Sequence, residues 1–170
     1  MKLDSKSLRA LIKEVVDTYE ESALVCERPW IVKLPFTLSS SGGAEDAEGE
    51  SSDGIKLALS GETATVEVVV DTYWNPHAGD ESGNSLVVYV DGEELIREYF
   101  PRKLDDDSEH VLLVSCSPWY DKLFIGVDDF IVCDIDTPFE DEDQVNVSWQ
   151  PVMEKDAGRI KCDGPVTSSL

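Results

Sequence analysis

Basic residues are scarce: 14 Lys and Arg stand against 36 Asp and Glu, a net charge of -22 over 170 residues. A surface of that sign repels nucleic-acid phosphates and anionic lipid, so direct nucleic-acid binding is not expected. Histidine is rarer still. His77 and His110 are the only two, and neither has a serine or cysteine at a spacing that marks a nucleophile. No nucleophile-elbow pattern and no Gly-rich phosphate loop occurs. The expectation is a protein with no enzymatic activity, no catalytic residue and no cofactor. The four cysteines, Cys26, Cys116, Cys133 and Cys162, lie far apart and form no C-x-x-C pair, which argues against a zinc ribbon or a thioredoxin-type site. Cys116 and Cys133 fall in apolar strand patterns, where a buried free thiol is the default.

Long apolar runs are absent too. No run approaches the roughly 20 residues a bilayer-spanning helix needs. The N-terminus shows neither a secretory apolar core nor the Arg-rich, acid-poor character of a mitochondrial presequence, because Asp4 comes early. From these features alone the expected location is cytoplasmic, unless a targeting segment lies outside this sequence. The acidic runs also lack the alternating D-x-[DN]-x-[DN]-G pattern of a calcium loop, so no metal site is expected.

What is present is β-branched and apolar. Thr65–Asp71 and Leu86–Val90 read as strands, and Asp91-Gly92 after the second is a strong hairpin-turn signal. His110–Cys116, Leu123–Val127 and Phe130–Cys133 continue the pattern, with Leu95–Phe100 and Val145–Trp149 as shorter candidates. No helix of ordinary length fits between these runs, so the sheet is expected to be antiparallel. Trp30–Leu38 is also strand-like, but Pro35 lacks an N–H and is expected to place it at an edge or to break it.

Residues 5–23 have a different period. Leu8, Leu11, Ile12, Val15 and Tyr19 recur at helical spacing, and Ser5 or Ser7 can cap the N-terminus. Basic residues precede acidic ones along this segment, against the helix dipole. Its stability is expected to come from packing the apolar stripe on the sheet or on a second subunit.

The charge is unevenly placed. The first 33 residues hold six basic and six acidic side chains, so the other 137 carry the whole net charge. Residues 39–54 contain only Ser, Gly, Ala, Asp and Glu and read as a mobile acidic loop. Asp105–Asp107 with Glu109, and Glu140–Asp143, make two more acidic loops. The candidate partner-binding residues are Glu45, Asp46, Glu48, Glu50, Asp53, Asp105, Asp106, Asp107, Glu109, Glu140, Asp141, Glu142 and Asp143. Their expected partners are basic proteins or Lys/Arg-rich segments. Residues 153–170 show no periodicity and read as an irregular tail.

The helix at Leu8–Tyr19, the strand at Trp30–Leu38, the paired pattern of Gly54–Val70 and the later strands at Leu86–Val90, Val111–Cys116 and Phe124–Val132 follow one another in a known order. That order resembles the mitochondrial glycoprotein, or mitochondrial acidic matrix protein, family, to which the complement globular-head-binding protein belongs. The resemblance covers roughly residues 8–135. It departs from the family after that: Pro138, Pro151, Gly158, Gly164 and Pro165 leave no room for the long C-terminal helices with which members close. The resemblance implies a homotrimeric, chaperone-like acidic scaffold in the mitochondrial matrix, acting in mitochondrial translation or ribosome assembly. With it, the expected fold class is α+β: one domain over 1–170, an N-terminal amphipathic helix packed on a strongly twisted antiparallel sheet of about seven strands.

A different class competes. Val88–Gly92 and Leu123–Phe130 resemble strands of laminin-G-like domains. That resemblance implies a β-sandwich ligand-binding module, lectin-like.

Overall fold

The computed structural model describes residues 22–25, 30–39, 54–72, 85–99, 102, 104, 106–117, 119–140, 143–152 and 160–169. Their regular elements are strands: β1 (Ser22–Val25), β2 (Trp30–Leu38), β3 (Gly54–Ser60), β4 (Thr65–Asp71), β5 (Ser85–Val90), β6 (Glu93–Tyr99), β7 (Glu109–Ser117), β8 (Lys122–Val127), β9 (Phe130–Asp136), β10 (Gln144–Pro151), β11 (Ile160–Lys161) and β12 (Val166–Ser169). All pair antiparallel, in two sheets. One runs β1-β10-β3-β4-β5-β6; the other runs β11-β2-β7-β8-β9, with β12 also on β2. Two meanders, β3–β6 and β7–β9, are built from successive hairpins; β11 and β12 stay in one sheet on β2, and the remaining connections cross between sheets.

This corrects the expected α+β class. No helix occurs among the described residues, and one sheet of about seven strands is replaced by two sheets facing each other. The physical reason is that an alternating strand presents one apolar face, which a second sheet covers as well as a helix layer does. The helix expected over 5–23 lies outside the described residues except at its end, where Ser22 and Ala23 pair in β1 with Val147 and Asn146. The acidic stretch 40–53 and residues 153–159 also lie outside them. Residues 160–169, in the segment expected to be irregular, supply β11 and β12, too short for any period to show.

The core is the facing pair of inner surfaces. Ile55, Leu57 and Leu59 of β3 stand opposite Val70, Val68 and Val66 of β4, which stand opposite Leu86, Val88 and Val90 of β5. From the other sheet come Trp30, Val32, Leu34 and Phe36, with Leu112, Val114, Leu123 and Ile125, all buried. Period-two alternation therefore sends the intervening side chains of β3, β4 and β5 to the outer face.

Pro35 neither breaks β2 nor forces it to an edge. It stands opposite Val111, whose own N–H and C=O face Asp128 on the far side of β7. Pro35 and Val111 are thus a non-hydrogen-bonded pair, and the missing donor of Pro35 points away from β7. On that side β12 pairs with residues 30–33 and β11 with 37–38, leaving Pro35 between them where no N–H is needed.

Aspartates at hairpin tips tie neighbouring strands together. Asp91 and Gly92 both have positive φ, 53° and 82°, the conformation a two-residue hairpin loop of this hand requires. Asp91 N donates to Thr65 O, and its carboxylate accepts from Thr65 N. Asp128, φ 56°, repeats the device at the β8–β9 turn: its N donates to Val111 O and its carboxylate accepts from Val111 N. Each side chain thus extends a ladder by one further pair.

Candidate functional site

The outer face of β3–β6 carries an open groove of about 420 Å³. Cross-strand register explains what lines it. Gln150, Lys56, Val69, Val87 and Arg97 form one outward row across β10, β3, β4, β5 and β6. Ala58, Glu67, Tyr89 and Glu94 form the next.

A bulge completes that face. Val88 pairs with Ile96 and Tyr89 with Glu94, so Leu95 is the extra residue on β6. In a regular strand Glu94 and Arg97 would point to opposite faces; the extra residue puts both on the outer face, with Arg97 lining the groove. There they form a two-pronged ion pair, Arg97 Nε to Glu94 Oε1 at 3.1 Å and Nη2 to Oε2 at 2.8 Å. The Arg97 hydrogen bonds hold the Glu94 carboxyl below its ordinary range. The Tyr89 hydroxyl has its pKa raised, first by burial and then by the nearby Glu94 charge. On the opposite wall Lys56 Nζ meets Glu67 Oε1 at 2.6 Å. The floor is apolar, Val69 and Val87.

A second polar cluster sits where the β6–β7 connection meets the β8–β9 turn. His110 is 6% exposed, with its ring against Phe36. Its Nδ1 lies 3.1 Å from Asp128 Oδ2, and its Nε2 lies 3.1 Å from Asp106 Oδ1 and 3.2 Å from Ser108 Oγ. Serine, histidine and aspartate thus touch in the order of a nucleophilic triad. The Ser108 hydroxyl donates to Asp106, however, as does its backbone N–H. These bonds, followed by that from His110, lower the Asp106 pKa to about 2. Asp107 N donates to Leu38 O and Leu104 is buried, so the cluster fastens this connection to the sandwich.

Among the described residues, the acids singled out from sequence are not gathered into one site. Glu45, Asp46, Glu48, Glu50, Asp53, Asp105, Asp141 and Glu142 lie outside the described residues. Asp106, Asp107, Glu109 and Glu140 are exposed. Asp143 is turned inward, 8% exposed, accepting from Thr63 Oγ1 at 2.7 Å and from Glu140 N at 3.1 Å; it ties the β9–β10 connection to the β3–β4 turn. No group of three metal-ligating side chains occurs among the described residues. Cys116, Cys133 and Cys162 are in no disulfide, and burial pushes the Cys133 and Cys162 thiols up to about 11; Cys26 lies outside the described residues. Sequence reasoning missed the groove side chains Lys56, Glu67, Tyr89, Glu94 and Arg97. The available signal was polar residues at the outward positions of adjacent hairpin strands.

No family model and no curated protein sequence matches the chain. Solved structures do match in fold. A point mutant of the Emp46p carbohydrate recognition domain superposes with a TM-score of 0.64 at 11% identity, over 88% of this chain and 75% of that one. Sheep galectin-11, in complex with glycerol, gives 0.54 at 11%, over 88% and 97%. The carbohydrate binding module CBM66 from Bacillus subtilis gives 0.51 at 12%, over 89% and 80%. The expected chaperone-like, trimeric ribosome-assembly protein is corrected by this finding, because that expectation rested on a resemblance whose implied fold is a helix on a single twisted sheet, and the described residues form two facing sheets. At such low identity the comparison bears on architecture, and in architecture the chain is similar to these proteins: a lectin-like β-sandwich.

Proposed function

We propose that the protein is a non-enzymatic carbohydrate-binding module that takes a neutral saccharide in the groove on the outer face of β3–β6. The observation that carries this reading is the set of fixed polar pairs on that face, Glu94–Arg97 and Lys56–Glu67, with Tyr89 between them in the cross-strand row. Sugar hydroxyls donate and accept at once. They are recognised by charged side chains already held by partners, which lose little rotamer freedom on binding. Val69 and the Tyr89 ring, both half-buried, offer an apolar surface for the C–H face of a pyranose. Lys56 and Arg97 face Glu67, Asp71 and Glu94 around the groove, close to balance on a molecule of net charge -22. That local balance favours an uncharged ligand. The fold it shares with carbohydrate recognition domains supports the same reading.

The test is calorimetric titration of the full chain with a panel of neutral oligosaccharides. Arg97→Ala and Tyr89→Ala should each weaken binding at least about tenfold, the effect of losing roughly 1.4 kcal/mol. Their urea midpoints should stay near that of the parent chain. Binding that survives both substitutions, or a panel that contains no ligand, would refute the assignment.

A further inference from the structure

The hairpin tip between β7 and β8 carries two adjacent aromatic side chains turned to solvent, Trp119 at 84% exposure and Tyr120 at 70%. Both rings are therefore available to a partner and absent from the core. The backbone holds them in place. Trp119 N donates to Ser117 Oγ, Asp121 adopts φ 47°, and Thr137 N donates to Asp121 O at 2.8 Å, pinning the β9–β10 connection against the tip. Register brings Asp136 opposite Lys122, and Lys122 Nζ reaches Asp134 at 3.1 Å and Asp136 at 2.8 Å. Among the described residues, Asp121 follows Tyr120 in the tip, and Asp134 and Asp136 lie on the adjoining strand β9, both on the Lys122 ammonium.

We propose that Trp119 and Tyr120 form a docking surface for an arginine- or lysine-rich peptide segment, independent of the saccharide groove. Exposed indole and phenol faces attract cations, guanidinium most of all, and the surrounding carboxylates bias the choice of partner in the same direction. Tryptophan, tyrosine and arginine are also the residues in which interface energy concentrates. A neutral or anionic partner would gain nothing from the flanking acids, and an anionic membrane would be repelled by a net charge of -22.

The experiment titrates the full chain with a fluorescent peptide of alternating arginine and glycine at physiological ionic strength. A glutamine–glycine peptide of equal length and the neutral oligosaccharide panel serve as comparisons. The arginine peptide should bind and the glutamine peptide should not. Trp119→Ala with Tyr120→Ala should weaken binding by about 5- to 30-fold, the range for two exposed cation–aromatic contacts. Asp134→Asn with Asp136→Asn should slow association and flatten its salt dependence. Arg97→Ala should leave peptide binding unchanged, which separates this surface from the groove. Unaltered peptide affinity in the aromatic double variant overturns the proposal. So does equal capture of the glutamine peptide, or a saccharide whose binding is lost in that variant. Both rings lie outside the core, so an unchanged urea midpoint is expected and verifies that the variant is folded.

Discussion

Asp128→Ala should destabilise the protein more than Asp91→Ala, although both remove an aspartate of positive φ from a hairpin tip. The backbone cost is common to both. Alanine in the left-handed region costs about 1–2 kcal/mol, and φ is 56° at one site and 53° at the other. The side-chain losses differ. Asp91 accepts one bond, from the exposed Thr65 N–H, which water can replace. Asp128 accepts from the partly buried Val111 N–H at 3.0 Å and also faces Nδ1 of the buried His110. Stranding a buried donor costs about 1–3 kcal/mol, and the histidine contact is lost as well. The contact with exposed Arg102, at 3.9 Å, adds little. Asp91→Ala is thus expected to cost about 2 kcal/mol, and Asp128→Ala about 2 kcal/mol more. Asp128→Asn keeps an acceptor and tolerates the left-handed region, so it should fall between the parent chain and Asp128→Ala. Urea unfolding, followed by tryptophan fluorescence and far-ultraviolet dichroism with an unchanged slope, measures these differences. Amide exchange at Val111 localises the effect. If the two alanine variants agree within about 0.5 kcal/mol, the size of a surface effect, the extra stability assigned to Asp128 through the Val111 N–H and His110 is wrong.

Asp106 should make the β6–β7 connection acid-sensitive. Its folded-state pKa lies near 2 against an ordinary 3.8, so its contribution is complete above about 3.8 and is lost as pH falls toward 2. Exchange of the Ser108 amide should speed up across that window in the parent chain and show no such step in Asp106→Asn. Cys133 and Cys162, with pKa values raised to about 11, should alkylate slowly at neutral pH and about tenfold faster per pH unit up to that value. Mass-spectrometric labelling at the two sites checks this, and rapid labelling of either thiol at neutral pH contradicts the burial that raises them.

The sequence by itself determined the local strands. Thr65–Asp71 recurs unchanged as β4, and Asp91-Gly92 turns β5 into β6, because alternation and turn chemistry act within a few residues. It also determined the sign of the molecule's charge. Tertiary structure alone decided what covers the apolar faces, since one period-two pattern suits a helix layer or a second sheet equally. It decided that Pro35 sits between β11 and β12, a gap made by strands about 125 residues downstream. It decided that Asp143 is spent on Thr63, that His110 lies between Asp106 and Asp128, and that a bulge at Leu95 brings Glu94 and Arg97 to one face. Local spacing carries no record of these pairings, because cross-strand register depends on which segments meet, and a single inserted residue reverses every side chain beyond it.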